Sequence, residues 1–426
     1  MKKTGIVKQE LQEGKYQELL KDIYVDDAVL SYQTERYVKA IEKFEELYGE
    51  QDVEIYSAPG RSEVGGNHTD HQHGQVLAAG INLDAVAIVS KTEDEQIKVV
   101  SDNFNIKPIL LKDLEKKAEE AGTSEALIRG VAYKLKEEGY KLGGFCVYMT
   151  SDVLVGAGLS SSAAFEVAIG TIISGLFNEM QISPILIAQV SQFAENVYFE
   201  KQSGLMDQMA SSVGSLVNID FKDTKNPVVN KVDVDFDKFR HSLCIVDTKG
   251  NHADLTNEYD CVPQEMKKVA EYFGCEFLRE VDEKQFYEEL PKVREKAGDR
   301  GVLRAIHFFG DHKRVGGEVA ALKAGDFEEF KRLITESGDS SYKYLQNVFA
   351  NCDVQNQSVS LGLALSEMIL GKKGACRVHG GGFAGTIQAF VANDMVADYK
   401  KKIEHFFGEG SCHVLKVRKY GGIKVL

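Results

Sequence analysis

Apolar residues recur at helical spacing through the first fifty positions, as in Tyr37-Val38 followed by Ile41 and Phe44, on a background rich in Lys, Glu, Gln and Tyr. That periodicity predicts amphipathic helices lying on the surface. A strand-like segment then runs into Ala58-Pro59-Gly60-Arg61, and the unbroken apolar run Ala85–Val89 predicts a buried strand. Ala163 to Phe177 is mostly apolar and predicts a buried helix. Ser183-Pro184 marks a helix start, with Ser as the cap and Pro at the first helical position, and the helix it opens carries Glu195. After a break over Lys201–Gly204, a short segment bears Met206-Asp207-Gln208. Alternation from Val228 to Phe236 predicts a half-buried strand, and Leu243–Asp247 the first core strand of a second domain. Charged, helix-rich sequence fills 262–372, and a glycine-rich segment then leads into a strand from Thr386 to Val391. The mixture predicts an α+β fold. There is no regular alternation of strand and helix, no internal repeat and no low-complexity segment.

Composition narrows the function classes. At 426 residues the chain is long enough for two domains with proper cores. With 51 basic and 65 acidic side chains its formal net charge is −14, which argues against nucleic acid or an anionic membrane as the main partner. No apolar run is expected to reach the length of a membrane span, and the polar start Met1-Lys2-Lys3-Thr4 lacks the apolar core of a signal peptide. Seven scattered cysteines without a Cys-x-x-Cys indicate neither a disulfide framework nor a cysteine zinc site. A cytoplasmic location is the expectation.

Candidate chemistry concentrates in four places. Val155-Gly156-Ala157-Gly158-Leu159-Ser160-Ser161-Ser162-Ala163-Ala164 joins a short glycine loop to three serines and a small-residue helix start. Glycines let the backbone wrap closely around a ligand, and the orphan N–H groups of a helix start favour an anion. The segment predicts a phosphate cradle, although it lacks the Gly-x-x-x-x-Gly-Lys-Ser/Thr of the common phosphate loop. Its bland alternative is a small-residue turn that lets a helix pack on a sheet. The second place, Gly380-Gly381-Gly382-Phe383-Ala384-Gly385, is alone no more than a turn; with the serine loop it suggests two walls of one nucleotide cleft. In the third, Arg61 and Gly66-Asn67-His68-Thr69-Asp70-His71-Gln72-His73-Gly74 crowd polar groups between apolar flanks. A metal site from His68, Asp70, His71 and His73 fits neither a helix face nor a known zinc spacing, which leaves a sugar-binding loop or a solvated turn. The fourth is the pair of carboxylates, Glu195 and Asp207. Each taken singly is a surface charge; near a phosphate loop they suit metal binding and orientation of an attacking hydroxyl.

In order and spacing these segments resemble the three motifs of the GHMP small-molecule kinases, and the galactokinase branch most closely. The first motif stands as Ala58-Pro59-Gly60-Arg61 through Gly66-Asn67-His68-Thr69-Asp70, the second as Gly156–Ala164 and the third as Gly380–Gly385. Ala194-Glu195-Asn196 through Gly204-Leu205-Met206-Asp207-Gln208, and Asn257-Glu258-Tyr259, match galactokinases in particular. The resemblance covers roughly residues 35–400 and leaves the first thirty or so as an addition.

The resemblance implies two α+β domains, about 1–238 and 239–426, the first like domain 2 of ribosomal protein S5 and the second ferredoxin-like, with the active site in the cleft between them. It implies ATP-dependent phosphorylation of the anomeric hydroxyl of galactose. Asp207 would act as base or orienter and Arg61 would stabilise the transferring phosphoryl group. Glu195 with Ser161 or Ser162 would hold Mg²⁺. Gly156, Ala157, Gly158, Leu159, Ser160, Ser161 and Ser162 would wrap the nucleotide phosphates. Asn67, His68, Asp70, Gly204 and Tyr259 would touch the sugar, and Gly380, Gly381 and Gly382 would close the far side. A monomer or weak homo-oligomer is expected.

The chain also departs from the pattern. Ser62-Glu63-Val64-Gly65 replaces Val-Asn-Leu-Ile, Leu154 replaces a proline, and Asp260-Cys261-Val262-Pro263-Gln264 replaces an arginine-rich run. Asn67 stands where the family Glu would accept from the sugar 6-hydroxyl, and His71 stands where a Tyr is usual. An amide accommodates a 6-hydroxyl or admits a 6-carboxylate. Uronic-acid kinases of the family also lack the Glu and resemble Asp70-His71-Gln72, so galacturonate is the second substrate expectation. A silent sugar and ATP sensor is the rival from another class. Intact Ser160–Ser162, Asp207 and Arg61 favour an enzyme over it.

Overall fold

The computed structural model describes residues 1–102, 104–154, 158–234, 236–250 and 255–426. The chain opens with a short strand, β1 (Lys2–Lys3), and three helices, α1 (Thr4–Gln12), α2 (Gln17–Tyr24) and α3 (Leu30–Tyr48). Two long strands, β2 (Asp52–Gly65) and β3 (Gln75–Lys91), follow as an antiparallel pair. β4 (Gln96–Ser101), β5 (Phe104–Asn105), β6 (Ile109–Leu110), α4 (Ser124–Glu137) and β7 (Phe145–Ser151) come next. Then follow α5 (Ser161–Asn178), α6 (Pro184–Phe193), α7 (Met206–Val213), β8 (Leu216–Asp220) and β9 (Val228–Val232). Their sheet runs β1-β2-β3-β7-β4-β5, with β8 and β9 attached beside β3 and β6 beside β4.

A second, four-stranded antiparallel sheet begins at β10 (His241–Asp247). Helices α8 (Thr256–Tyr272), α9 (Glu283–Glu288), α10 (Leu290–Ala324), α11 (Phe327–Ser340) and α12 (Ser358–Leu370) precede β11 (Ala375–His379) and β12 (Thr386–Ala392). After α13 (Val396–Phe407) and β13 (Cys412–Leu415), the strand order is β11-β12-β10-β13. The last strand, β14 (Ile423–Lys424), leaves this unit and pairs with Ser57 and Tyr56 of β2. The tail, expected with the second half, thus belongs to the first sheet.

The unbroken apolar run of β3 has a direct cause. Successive strand side chains point to opposite faces. Ala85, Ala87 and Val89 enter the core under α4 and α5, while Val86 and Ile88 enter a second core closed by Leu20, Ile23, Tyr37, Ile41 and Phe44 of α2 and α3. The first three helices, expected on the surface, therefore form the lid of a core on the outer face of the sheet.

Three local expectations are refined. α5 is apolar and long enough to match a membrane span, contrary to the sequence expectation, but two-thirds of it is buried as the central helix of the main core. Ser183 caps α6 by accepting from Leu186 N–H, as its sequence predicts, yet α6 ends at Phe193 and Glu195 sits in the wider turn Ala194–Tyr198 that follows. Such π-type turns recur at functional sites. β9 stops at Val232 and is mostly exposed, because it pairs on one side with β8 alone.

Candidate active site

Arg61 lies near the end of β2, between two register shifts in the β2–β3 ladder. Bulges of this kind re-aim side chains next to active sites. The Arg61 guanidinium donates to both Asp207 oxygens, with Nη2–Oδ2 at 2.7 Å, and also to the Gly158 carbonyl. Asp207 is in the first turn of α7, and that helix is tied to β2 by Ser211 Oγ donating to the Pro59 carbonyl at 2.6 Å. Ser160 Oγ donates to Asp207 Oδ2 from the other side. Burial alone would raise the Asp207 carboxyl, but the charge and hydrogen bonds of Arg61, with Ser160, hold it below the ordinary carboxylate range. The pair is therefore ionised, with the Asp207 side chain still 28% accessible.

The serine loop meets this pair directly. Leu159 is buried in the core and contributes its carbonyl, which accepts from Arg61 N–H at 3.1 Å. Gly158 has φ +65, and a Cβ there would stand 2.6 Å from Thr386 Oγ1, so glycine is required on both counts. Ser160 adopts a left-handed φ of 54 immediately before α5, and no side chain caps that helix. Its first N–H groups are left for an anion. Gly156 and Ala157 lie outside the described residues.

The serines then divide their work. Ser162 Oγ donates to Glu195 Oε1 at 3.3 Å, whereas Ser161 has no side-chain hydrogen bond among the described residues. Lys201 Nζ stands 2.8 Å from the same Oε1. The other oxygen, Oε2, accepts from Ser203 Oγ and Gln208 Nε2, each at 2.7 Å. No cluster of three or more metal-ligating side chains occurs among the described residues. One carboxylate and one hydroxyl fit Mg²⁺ well, since that ion takes few protein ligands and completes its shell with phosphate oxygens and water. A cation already occupies Glu195 Oε1 in the form of the Lys201 ammonium, which shows that the vertex accepts positive charge.

The glycine loop faces the polar segment after β2. His68 Nε2 donates to the Gly381 carbonyl at 3.1 Å, which leaves Nδ1 as an acceptor without a partner among the described residues. Burial pushes the His68 pKa down to about 3, so the ring is neutral. Tyr259 OH donates to the Gly382 carbonyl at 2.9 Å, and its ring lies under Gly381, where a Cβ would come within 2.7 Å. Asp70 packs against Gly204 so closely that a Cβ there would meet Oδ2 at 2.0 Å, and no hydrogen bond from the described residues reaches its carboxylate.

Asn67 is a correction. The sequence places it against the sugar, but the side chain is wholly buried and its hydrogen-bonding capacity is spent inside the protein. Nδ2 donates to Glu63 Oε1 at 3.0 Å and the Gly380 carbonyl at 2.7 Å; Oδ1 accepts from Asn347 Nδ2 at 2.8 Å and Ser341 Oγ at 3.3 Å. Its backbone N–H reaches Asp311 Oδ2 and its carbonyl accepts from His307 Nε2. With four side-chain bonds made, nothing remains for a ligand.

Behind Asn67 lies a buried polar seam that composition did not reveal. Glu63 pairs with Arg377, and His379 Nε2 accepts from Glu63 N–H at 3.2 Å while Nδ1 meets Thr386 Oγ1 at 3.1 Å. That fixes a neutral His379 as the joint between first motif and glycine loop, in keeping with burial holding its pKa far down. Glu318 of α10 presses on Gly65 with both oxygens unpartnered. Burial, with Asp311 nearby, pushes its carboxyl from 4.5 up to about 8, against the pull of Arg377 and Arg314. A carboxyl raised in the folded state loses stability as pH climbs from its unfolded pKa through its folded one. Glu318→Gln removes that titration, so its melting temperature should exceed that of the unmodified chain by more at pH 8 than at pH 5. Equal gaps in a pair of thermal melts would show that Glu318 does not titrate in this window.

Comparison with known proteins agrees with this geometry. Residues 42–91 match the family model for the galactokinase galactose-binding signature, and residues 126–215 that of the GHMP kinase N-terminal domain. A galactokinase of Streptomyces coelicolor is 31% identical over 86% of this chain and 92% of its own length. The chain belongs to the galactokinase family of GHMP kinases. A galactokinase of Glaesserella parasuis is 30% identical over 85% of this chain and 91% of its own length. The fold is shared with Lactococcus lactis galactokinase solved with galactose, at TM-score 0.78 and 23% identity, covering 90% of this chain and 98% of that one. A mevalonate kinase structure shares it more distantly, at TM-score 0.59 and 14% identity, covering 85% and 99%. Membership makes the chain a phosphotransferase of the two-domain GHMP fold.

Of the residues expected from the sequence, the structure brings Arg61, Asp207, Ser160, Ser162 and Glu195 together at the start of α5, sets His68 against the glycine loop and packs Asp70 on Gly204. Lys201, Ser203, Gln208 and His379 were not among those expected. The first three sit within thirteen residues of Glu195, a local crowding of polar groups that was available as a signal. His379 precedes the glycines by one position and carried no signal of its own.

Proposed function

We propose that the chain transfers the γ-phosphoryl group of ATP to the anomeric hydroxyl of galactose, giving galactose 1-phosphate and ADP. The observation that carries this reading is the ionised Arg61–Asp207 pair held by Ser160 at the phosphate-binding start of α5. The hydroxyl oxygen bonds to the γ-phosphorus as the bond to the β–γ bridging oxygen breaks, and the hydroxyl proton is accepted at Asp207 Oδ. A carboxylate with a lowered pKa is a weak base, so Asp207 mainly orients the hydroxyl and takes its proton late. Arg61 stands beside the same oxygen, where negative charge spreads during transfer. Glu195 and Ser162 would hold Mg²⁺, which when bound neutralises phosphate charge. His68 Nδ1 and the Asp70 carboxylate are unused acceptors for sugar hydroxyls.

Galactose is favoured over galacturonate by the state of Asn67. The substitution that suggested an acid substrate is a buried cross-link whose amide faces Glu63 and the Gly380 carbonyl, so the case for a 6-carboxylate at that amide falls away. An ATP-consumption assay with galactose, galacturonate, N-acetylgalactosamine and glucose tests the proposal. Turnover with galactose is expected, with the acid sugar slower by at least 10²-fold. Turnover with galacturonate alone would overturn the substrate, and saturable galactose binding without any turnover would overturn the chemistry.

A further inference from the structure

Lys201 is the one cation that the described residues place on the carboxylate expected to meet the metal. Its contact is unequal to the rest of that carboxylate's setting. Glu195 is 3% accessible, and its Oε2 is fixed by Ser203 and Gln208. Lys201 is 59% accessible, so its stem lies in solvent, and a single ion pair to Oε1 holds its head. The oxygen it takes is the one that also faces Ser162 and the start of α5. Its backbone is pinned, with Lys201 N–H donating to the Glu195 carbonyl at 3.1 Å after a left-handed Glu200 at φ 68. The ammonium is therefore free to pivot about a fixed base, over a vertex shared with the phosphate cradle.

We propose that Lys201 is a placeholder cation and a phosphate-binding residue: it neutralises Glu195 Oε1 in the ligand-free protein, and gives that oxygen up to Mg²⁺ as its ammonium moves to a phosphate oxygen of the nucleotide. The proposal rests on the kinase reading above, but not on the identity of the sugar. An ammonium on a long flexible stem is suited to such an exchange, since it binds phosphate as a point charge from many directions. The exchange keeps the buried Glu195 charge compensated at every stage, which an uncompensated carboxylate there would not be.

The two halves of the role predict opposite signs in Lys201→Met. Removing the competitor should tighten Mn²⁺ in the nucleotide-free protein about 3-fold, the worth of a partly exposed ion pair, as read by electron paramagnetic resonance. Removing the phosphate contact should weaken a non-hydrolysable ATP analogue about 10-fold when binding is measured calorimetrically at saturating Mg²⁺, since a charge-assisted bond is lost. Lys201→Arg should leave both near the starting values. If Lys201 only buttresses Glu195, the Met variant would bind Mn²⁺ more weakly, and that result, or unchanged Mn²⁺ affinity, overturns the proposal. Lys201→Gln, which keeps a polar stem, carries the same expectations should the Met variant fold poorly. No sugar enters either measurement, so failure of the galactose assignment and failure of this exchange are read separately.

Discussion

Replacing Asp207 by Asn is expected to lower kcat about 10³-fold while binding of a non-hydrolysable ATP analogue stays within a few-fold of the unmodified chain. The substitution keeps the size and planarity of the side chain. It removes the charge that Arg61 and Ser160 both address. Three consequences follow from that single loss. The hydroxyl loses the acceptor that aligns it, its proton loses its destination, and Arg61 loses the partner that holds its fork in place. The nucleotide contacts assigned to the start of α5 depend on backbone N–H groups and are untouched. Steady-state kinetics with calorimetry separates these effects, because a kcat loss with retained nucleotide affinity belongs to an interaction made at the reacting centre. Near-full activity in Asp207→Asn would show that another group orients the hydroxyl.

The pH dependence follows from the same electrostatics. Asp207 has its pKa lowered, so it remains ionised throughout the neutral range, and kcat should not fall on its account until the medium is more acidic than an ordinary carboxylate requires.

Much of this site was readable from the chain because its parts are local. The serine loop, the Asp70 segment and the glycine loop are each short runs whose residue types state their chemistry. Asn67 shows what such reading lacks. Against the family pattern it looks like a specificity change, because its neighbours in sequence are sugar-facing. Its actual partners, Ser341 and Asn347, lie 274 and 280 residues away. Burial at that position is set by α10, the segment after α11 and the glycine loop, none of which local sequence can place. Glu318 and Arg377 were hidden for a related reason. Each belongs to a charged, helix-rich stretch or its border, where a solvated face is the ordinary outcome, and only tertiary packing turns them inward. The first three helices were misplaced because an amphipathic helix announces a buried face without naming what buries it.

The largest stability effect is expected at Asp84, far from the chemistry. Asp84 is fully buried on β3. Its Oδ1 accepts from Arg36 of α3 at 2.8 Å; its Oδ2 accepts from Tyr24 of α2 and Arg418 of the tail, each at 2.9 Å, and from Ser57 of β2. One carboxylate therefore joins the N-terminal helices, the central strands and the C-terminal segment. Burial would raise its pKa, yet Arg36 and Arg418 outweigh that and keep it ionised. Asp84→Ala leaves Arg418 buried with no carboxylate partner among the described residues, while Arg36 retains Asp152 at 2.9 Å. Breaking a buried pair from one side costs about 3–5 kcal/mol, because the remaining charge stays desolvated. The variant should melt several degrees lower and expose residues 1–48 to limited proteolysis first, since their core is closed over the sheet through this contact. Phosphotransfer at low temperature should survive, as no atom of the network touches the Arg61–Asp207 pair. A melting temperature within one degree of the unmodified chain would mean that the two arginines find other partners, and that the N-terminal helices are held by their apolar face alone.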